Sequence, residues 1–209
     1  TVLSAIGGEA MNLPISLLVF DETKSTLLSA LILVCGMLPD MILPILVAPL
    51  IDKGGKKKWI VGLDVLLAAI YGLMGVWILG HTFSYGLYVG FTLTLGTISV
   101  FYRLAFSAWY PDLIPAGAEQ KGYSVTIYPL VTILMAPVAT FLYSHIPMGA
   151  LFLVVSGLTV VSCLVENCIR EVRKAAKEAY TLRQYRADIR EGFAYLKEEK
   201  GIRNIYTYM

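Results

Sequence analysis

The sequence predicts an all-α membrane protein with six transmembrane helices. Hydrophobic residues make up 57% of the 209 residues and charged residues only 15%, against roughly 25% charged residues in soluble domains. Apolar residues run on for about 20 positions at a time, the length that a helix needs to cross about 30 Å of hydrocarbon. Barrel strands would instead alternate in polarity over about ten residues. The six apolar segments lie at about 1–20, 26–51, 59–80, 85–108, 122–144 and 148–169.

Proline and glycine within these segments predict where the helices bend and pack. The second and fifth spans contain prolines, which usually bend transmembrane helices: Pro39, Pro44, Pro129 and Pro137. Gly86 and Gly90 form a small-xxx-small pair at the start of the fourth span, a spacing that favours close helix packing.

Basic residues in the short connections predict the orientation of the bundle. Only Lys24 lies on one side of the membrane, whereas the ten Lys and Arg residues between Arg170 and Arg203 lie on the other. That basic side also carries the lysines of two further connections, Lys53, Lys56, Lys57, Lys58 and Lys121. The basic side is therefore predicted to be the cytoplasm, with both chain ends inside.

Residues 170–209 differ sharply from the spans. Apolar residues recur there at three- and four-residue spacing, which predicts an amphipathic cytoplasmic helix suited to anionic lipid. A solvated linker helix is the alternative. From residue 202 the chain becomes apolar and aromatic again, which indicates an approach to a further span of a longer protein. The amphipathic positions are Leu182, Tyr185, Ile189, Phe193 and Leu196.

The composition argues against an enzyme or a nucleic-acid-binding protein. The formal net charge is only +2, and the two histidines, His81 and His145, fall in predicted outer connections. No Ser/His/Asp set, Cys/His cluster or phosphate-binding glycine loop occurs, so no catalytic group, metal or cofactor is predicted. The three cysteines fall in apolar stretches and are predicted to be reduced packing residues: Cys35, Cys163 and Cys168.

The connection between the second and third spans carries a motif, Ala48-Pro49-Leu50-Ile51-Asp52-Lys53-Gly54-Gly55-Lys56-Lys57. It resembles the G-x-L-A-D-R-x-G-R-R loop of the major facilitator superfamily. Leu50, Asp52 and Gly55 match, the three lysines replace arginines, and Ala48 and Ile51 depart from the pattern. The motif lies after the second span and on the basic side, as in that family.

The chemistry of this loop also predicts a paired carboxylate. Asp52 lies at a helix C-terminus, where a carboxylate is unfavourable without a cationic partner. The resemblance implies that Asp52, Lys53, Gly55, Lys56 and Lys57 form a cytoplasmic latch against the second half of a transporter. The lysines alone are also explained by membrane topology.

The resemblance covers the whole chain, which looks like the amino-terminal six-helix half of a twelve-helix transporter. Residues 38–39, 111–115 and 190–196 look like the bacterial drug and siderophore exporter branch. This implies a small-molecule substrate, membrane lipids and a carboxy-terminal half of the same protein as partners, in the cytoplasmic membrane. Proton-coupled efflux of a small amphipathic compound is the predicted function. A passive facilitator or importer, and a membrane receptor or scaffold that transports nothing, are the alternatives.

Ionisable residues inside the spans are candidates for function, since a charge at bilayer depth costs about 2.5 to 3.5 kcal/mol unless it is paired or hydrated. Asp40 lies mid-span between two prolines and is predicted to carry a proton or contact substrate; packing is its alternative. Glu9, with Asn12 one turn on, is predicted to line the same cavity. Asp64 and Arg103 lie at similar depth and are predicted to form an ion pair, with Asp52 as the other candidate partner of Arg103.

Overall fold

A computed structural model describes residues 2–52, 55–113 and 121–168, with side chains at 11–44, 46–51, 55–109 and 130–168. The predicted linker at 170–209 lies outside the described residues. The described residues form six helices, each within a few residues of a predicted span. They are α1 (Val2–Thr23), α2 (Thr26–Asp52), α3 (Lys56–Gly80), α4 (Tyr85–Leu113), α5 (Lys121–His145) and α6 (Met148–Cys168).

Length and composition allow at least part of the bundle to cross a membrane. Many large apolar side chains point outward, among them Met41, Leu73 and Ile133, as expected where lipid replaces water. Among the described residues, four helical stretches are long and apolar enough to span: Thr26–Pro44, Lys56–Gly80, Tyr85–Trp109 and Met148–Cys168. A shorter apolar stretch occupies Leu130–His145 in α5.

The first three helices and the last three have matching neighbours. The main contacts are α3 with α6, α2 with α4, and α1 with α5, followed by α3 with α4 and α1 with α6. We match α1 with α4, α2 with α5, and α3 with α6. Under this matching the α1–α5 contact corresponds to the α2–α4 contact, and the α3–α4 contact corresponds to the α1–α6 contact. The matching leaves α3–α6 unchanged. The α1–α2 contact has no comparable counterpart between α4 and α5 among the described residues, so the correspondence between the two sets of three helices is partial.

Glycines set the spacing at the two tightest interfaces. An added Cβ at Gly96 of α4 would collide with the backbone carbonyl of Gly36 in α2. Gly75 of α3 and Gly149 of α6 face one another, since a Cβ at Gly75 would lie 3.0 Å from the Gly149 carbonyl. The predicted packing pair, Gly86 and Gly90, is different: no atom of a described residue would lie within 4 Å of an added Cβ at either position.

Two clusters of buried residues form the core. The larger one joins α1, α2, α3, α4 and α6. At its centre Phe91 contacts the rings of Tyr71 and Phe152 edge-to-face, and the rings of Tyr71 and Phe152 are tilted against one another. The smaller one lies at the start of α3, where Ile60 packs against the ends of α2 and α4. We call this end of the bundle, which carries Lys56, Lys57 and Lys58, the lysine end.

Candidate functional site

Asp40 of α2 and Arg103 of α4 form a bidentate ion pair. Arg103 Nη2 lies 2.7 Å from Asp40 Oδ1, and Arg103 Nη1 lies 3.4 Å from Asp40 Oδ2. The side chains are 39% exposed for Asp40 and 55% exposed for Arg103, so the pair lies on a face of the bundle that other protein atoms leave open. Mutual neutralisation lowers the cost of placing both groups at bilayer depth.

The proline next to Asp40 weakens α2 locally. Pro39 is buried against α4, where its ring would contact a Cβ added at Gly96. Proline cannot donate a helical hydrogen bond, so the turns of α2 before Pro39 and Pro44 each lack one such bond. The ion pair therefore lies beside a part of α2 with fewer helical hydrogen bonds.

Arg103 does not pair with Asp64 as the sequence predicted, because its guanidinium turns toward α2 and binds Asp40. Asp64 instead points from α3 toward α6 and is 0% exposed. There its carboxyl group interacts with the carboxyl group of Glu166, which is 2% exposed. Similar depth along two helices fixes neither which helices are neighbours nor which face each residue occupies.

Tyr102 completes this buried group. Its hydroxyl donates a hydrogen bond to Glu166 Oε1 at 2.9 Å, from α4 to α6. Neither carboxylate oxygen of Asp64 has a hydrogen-bond donor among the described residues. We call Asp64, Glu166 and Tyr102 the buried carboxyl cluster. It joins α3, α4 and α6 in the half of the bundle nearer the lysine end.

The lysines of the predicted latch contact helix ends within the same six helices. Lys56 Nζ donates to the carbonyl of Ala108 at 2.8 Å, and Lys57 Nζ donates to the carbonyl of Asn167 at 2.8 Å. Asn167 lies in the last turn of α6, where carbonyls lack helical partners and carry partial negative charge, so an ammonium group suits it. Ala108 lies just before the last turn of α4. Gly55 precedes α3 as its N-cap residue.

Several predicted site residues are described only in part. Glu9 and Asp52 belong to α1 and α2, but their side chains lie outside the described residues, as does all of Lys53. Asn12 of α1 is described, and its side chain is exposed. The partner of Asp52 and the predicted cavity position of Glu9 therefore stay predictions.

The opposite end of the bundle is closed by polar contacts between helices. Ser29 of α2 donates to the carbonyl of Ser16 in α1 at 2.7 Å, and the two hydroxyl oxygens lie 2.8 Å apart. The hydroxyl of Tyr143 in α5 donates to Asp21 Oδ2 at the end of α1 at 2.7 Å. A cavity of about 360 Å³ opens nearby between α1, α3 and α4.

Sequence reasoning missed Glu166 and the serine contacts. Glu166 lies three residues from the end of the last predicted span, a position that indicates access to water, yet α3 and α4 cover it. The serines are single polar residues in apolar helices, without a pattern that distinguishes them. The only available signal was that Glu166 is itself a carboxyl group within a predicted span.

Comparisons with known proteins place these features in context. No protein-family model and no solved structure matches the chain. Macrolide efflux protein A of Streptococcus pyogenes is 25% identical over 213 aligned residues, covering 96% of this chain and 50% of that protein. Macrolide efflux protein A of Enterococcus faecalis is 27% identical over 180 residues, covering 80% of this chain and 52% of that protein. Over most of its length the chain is therefore similar to macrolide efflux proteins.

This similarity confirms the resemblance to bacterial exporters that residues 38–39, 111–115 and 190–196 indicate. The chain spans about half the length of the curated relatives that it matches. Apolar helices and efflux-protein relatives together identify a multi-pass protein of the cell membrane, surrounded by lipid. Among the described residues, no group of three or more His, Cys, Asp or Glu side chains could hold a metal ion.

Proposed function

We propose that this chain is the amino-terminal half of a secondary active transporter that exports a small amphipathic compound in exchange for protons. The observation that carries the proposal is the similarity of nearly the whole chain to efflux proteins, over half of their length. Macrolides, which those relatives are named for, are the first substrate class to test. Six crossings of the membrane with both ends in the cytoplasm fit the six helices and the distribution of lysines.

The partial correspondence between the two sets of three helices supports transport by alternating access. Inverted repeats in transporters meet near the bilayer midplane, and one bundle rocks against another around a site there. The partly open face at Asp40 and Arg103 is the proposed place where this half meets substrate and the carboxy-terminal half. Glu9 and Asn12 on α1 are proposed to line the same space.

The role proposed for Asp40 depends on exchange of partners. With Arg103 bound, Asp40 is neutralised and needs no proton. A proton or a cationic group of the substrate can replace Arg103 on the carboxylate, which couples their binding to release of the α2–α4 contact. The latch proposed for Asp52, Lys53, Gly55, Lys56 and Lys57 then holds one of the two states at the lysine end.

Proton release from acidified inside-out vesicles tests this function. Vesicles containing the full-length protein are given a proton gradient and a pH-sensitive dye, and then macrolides, lipophilic cations or siderophores are added. We expect substrate-triggered proton release that is lost in Asp40→Asn. Asp21→Asn is the matched control, because it changes a carboxylate to an amide at the opposite, exposed end of the bundle and should keep full release.

A passive facilitator is the second candidate, because an Asp40 that Arg103 already neutralises can work without protons. Substrate flux that is independent of pH and unchanged in Asp40→Asn would favour it and remove Asp40 from coupling. No flux of any compound, with normal insertion of the protein, would favour a membrane receptor or scaffold.

A further inference from the structure

The buried carboxyl cluster has a property that the Asp40–Arg103 pair lacks. Asp64 is 0% exposed, and among the described residues its two oxygens receive no hydrogen bond and no basic side chain forms a salt bridge with them. Its polar neighbour across the α3–α6 interface is a second carboxyl group, that of Glu166. An ionised carboxylate without a donor is strongly disfavoured in an apolar interior.

Two adjacent carboxyl groups bond to one another only if one of them carries a proton. With a proton on Asp64, its hydroxyl donates to Glu166, and Tyr102 donates to Oε1 of the same carboxyl group. Carboxyl pairs that share a proton occur where like charges cannot both be kept away from water. The contacts therefore fit a cluster that holds one exchangeable proton.

The other titratable groups around Asp64 do not replace this proton. Cys163 of α6 is near both carboxyl groups, but its thiol donates weakly to the carbonyl of Val61 at 3.8 Å. Lys57, on the same helix as Asp64, donates to the carbonyl of Asn167. Tyr102 contributes its hydrogen to Glu166 rather than to Asp64.

The charged group nearest in sequence to Tyr102 is also engaged elsewhere. Arg103 follows Tyr102 on α4 and points to the other side of that helix, where it binds Asp40. Adjacent residues of α4 thus serve two different carboxyl sites. Movement of α4 would change both sites together.

We propose that Asp64, Glu166 and Tyr102 form a proton-binding site, separate from the Asp40–Arg103 pair and built into the α3–α4–α6 interface. Asp64 takes a proton from hydronium when the cluster opens to water on one side, and returns it to water when it opens on the other. Only an O–H bond forms and breaks. Coupling of this proton to export rests on the proposed transport function, whereas proton binding itself does not.

Infrared difference spectroscopy tests proton binding directly. The full-length protein in lipid nanodiscs is titrated with acid and base, and the carbonyl band of protonated carboxyl groups is recorded. We expect a band that Asp64→Asn removes and that Asp21→Asn leaves in place. Tyr102→Phe, which deletes only the donor to Glu166, should shift the band without removing it.

A second variant, a transport assay and a sodium titration distinguish the proton site from its alternatives. Glu166→Gln should also shift the band without removing it, so it serves if Asp64→Asn does not fold. Absence of the band in a protein that transports would overturn the proton site and leave the proposed function standing. A band removed by Asp64→Asn in a protein that moves no compound would support the site and count against transport. A band that Na⁺ titrates away would assign a sodium site and overturn the proposal.

Discussion

The α2–α4 interface and the α3–α6 interface both combine close glycine contact with a carboxyl group in an apolar helix, but they treat that carboxyl group differently. Between α2 and α4, Asp40 lies on a partly open face and binds the guanidinium of Arg103. Between α3 and α6, Asp64 is completely covered and lies beside Glu166. A membrane bundle can therefore accommodate an acidic residue with a counter-ion at an open face or with a second acid in the interior.

The difference in exposure has an energetic reason. An ion pair that water reaches is only weakly stabilising, because solvent screens it, but it forms and separates at little cost. A covered carboxyl group is costly when it is charged, so its charge must change before the surrounding helices move. The exposed Asp40–Arg103 pair therefore suits exchange of partners. The covered Asp64 suits a carboxyl group that is neutral while the helices cover it and charged when water reaches it.

The largest expected effect concerns the glycines. In Gly96→Ala the new methyl group meets the backbone carbonyl of Gly36, which cannot move without shifting α2, so we expect a loss of about 3 kcal/mol of stability. In Gly75→Ala the methyl group also meets the flexible side chain of Leu153 at 3.0 Å, and we expect a smaller loss, about 1 to 2 kcal/mol. Thermal unfolding of the purified protein measures both.

Gly90→Ala is the control for these glycines, since it lies on the same helix as Gly96 and an added Cβ would meet no described atom within 4 Å. It should leave stability unchanged or slightly higher, because alanine favours the helix. A loss in Gly90→Ala as large as that in Gly96→Ala would contradict the idea that contact between helices limits these positions, because helix propensity alone would raise the stability of all three variants.

The second effect separates the two carboxyl environments. Arg103→Gln should lower stability by about 1 kcal/mol by leaving Asp40 without its cation, and high salt should reduce this loss. Asp64→Asn should change stability by less, within about 0.5 kcal/mol, because a neutral amide suits the covered site and can donate to Glu166. Unfolding at low and high salt measures both.

The double variant Asp40→Asn with Arg103→Gln is the control for the ion pair. Its loss of stability should be smaller than the sum of the two single losses if the groups bind one another. A loss in Asp64→Asn larger than that in Arg103→Gln would contradict the comparison, because it would mean that Asp64 is held in place as an anion.

The smallest effect compares one hydrogen bond at each interface. Ser156 of α6 donates to the carbonyl of Ala68 in α3 at 2.7 Å, and Tyr85 of α4 donates to the carbonyl of Leu28 in α2 at 3.2 Å. We expect Ser156→Ala to cost about 0.6 kcal/mol, typical of such bonds between membrane helices, and Tyr85→Phe to cost less. The same unfolding assay ranks them. The reverse order would mean that the α2–α4 bond is better shielded from water than its partial burial indicates.

The sequence was sufficient to predict the helices but not the contacts between them. Continuous apolar runs placed α1 to α6 within a few residues of their positions, because an uninterrupted apolar run of about 20 residues favours one long helix. The partner of Arg103 was not predictable in this way. When every face of a helix is apolar, the pattern does not distinguish the face that meets protein from the face that meets lipid. The same limit explains why the spacing of small residues indicated Gly86 and Gly90, whereas the close contact in the structure is between Gly36 and Gly96.

The candidate site was predicted as a set of residues rather than as an arrangement. Asp40, Asp64 and Arg103 stood out because charge is expensive in a membrane. Glu166 was missed, because its position near the end of a predicted span does not show whether neighbouring helices cover it. Only the fold reveals that Asp64 and Glu166 meet.

The two lysine contacts at the start of α3 have a mechanical consequence. Lys56 fastens the beginning of this helix to the end of α4, and Lys57 fastens it to the end of α6. A force on the short connection before α3 is then transmitted to α3, α4 and α6 and does not bend α3 alone. A small displacement of this connection is therefore expected to move α3, α4 and α6 together.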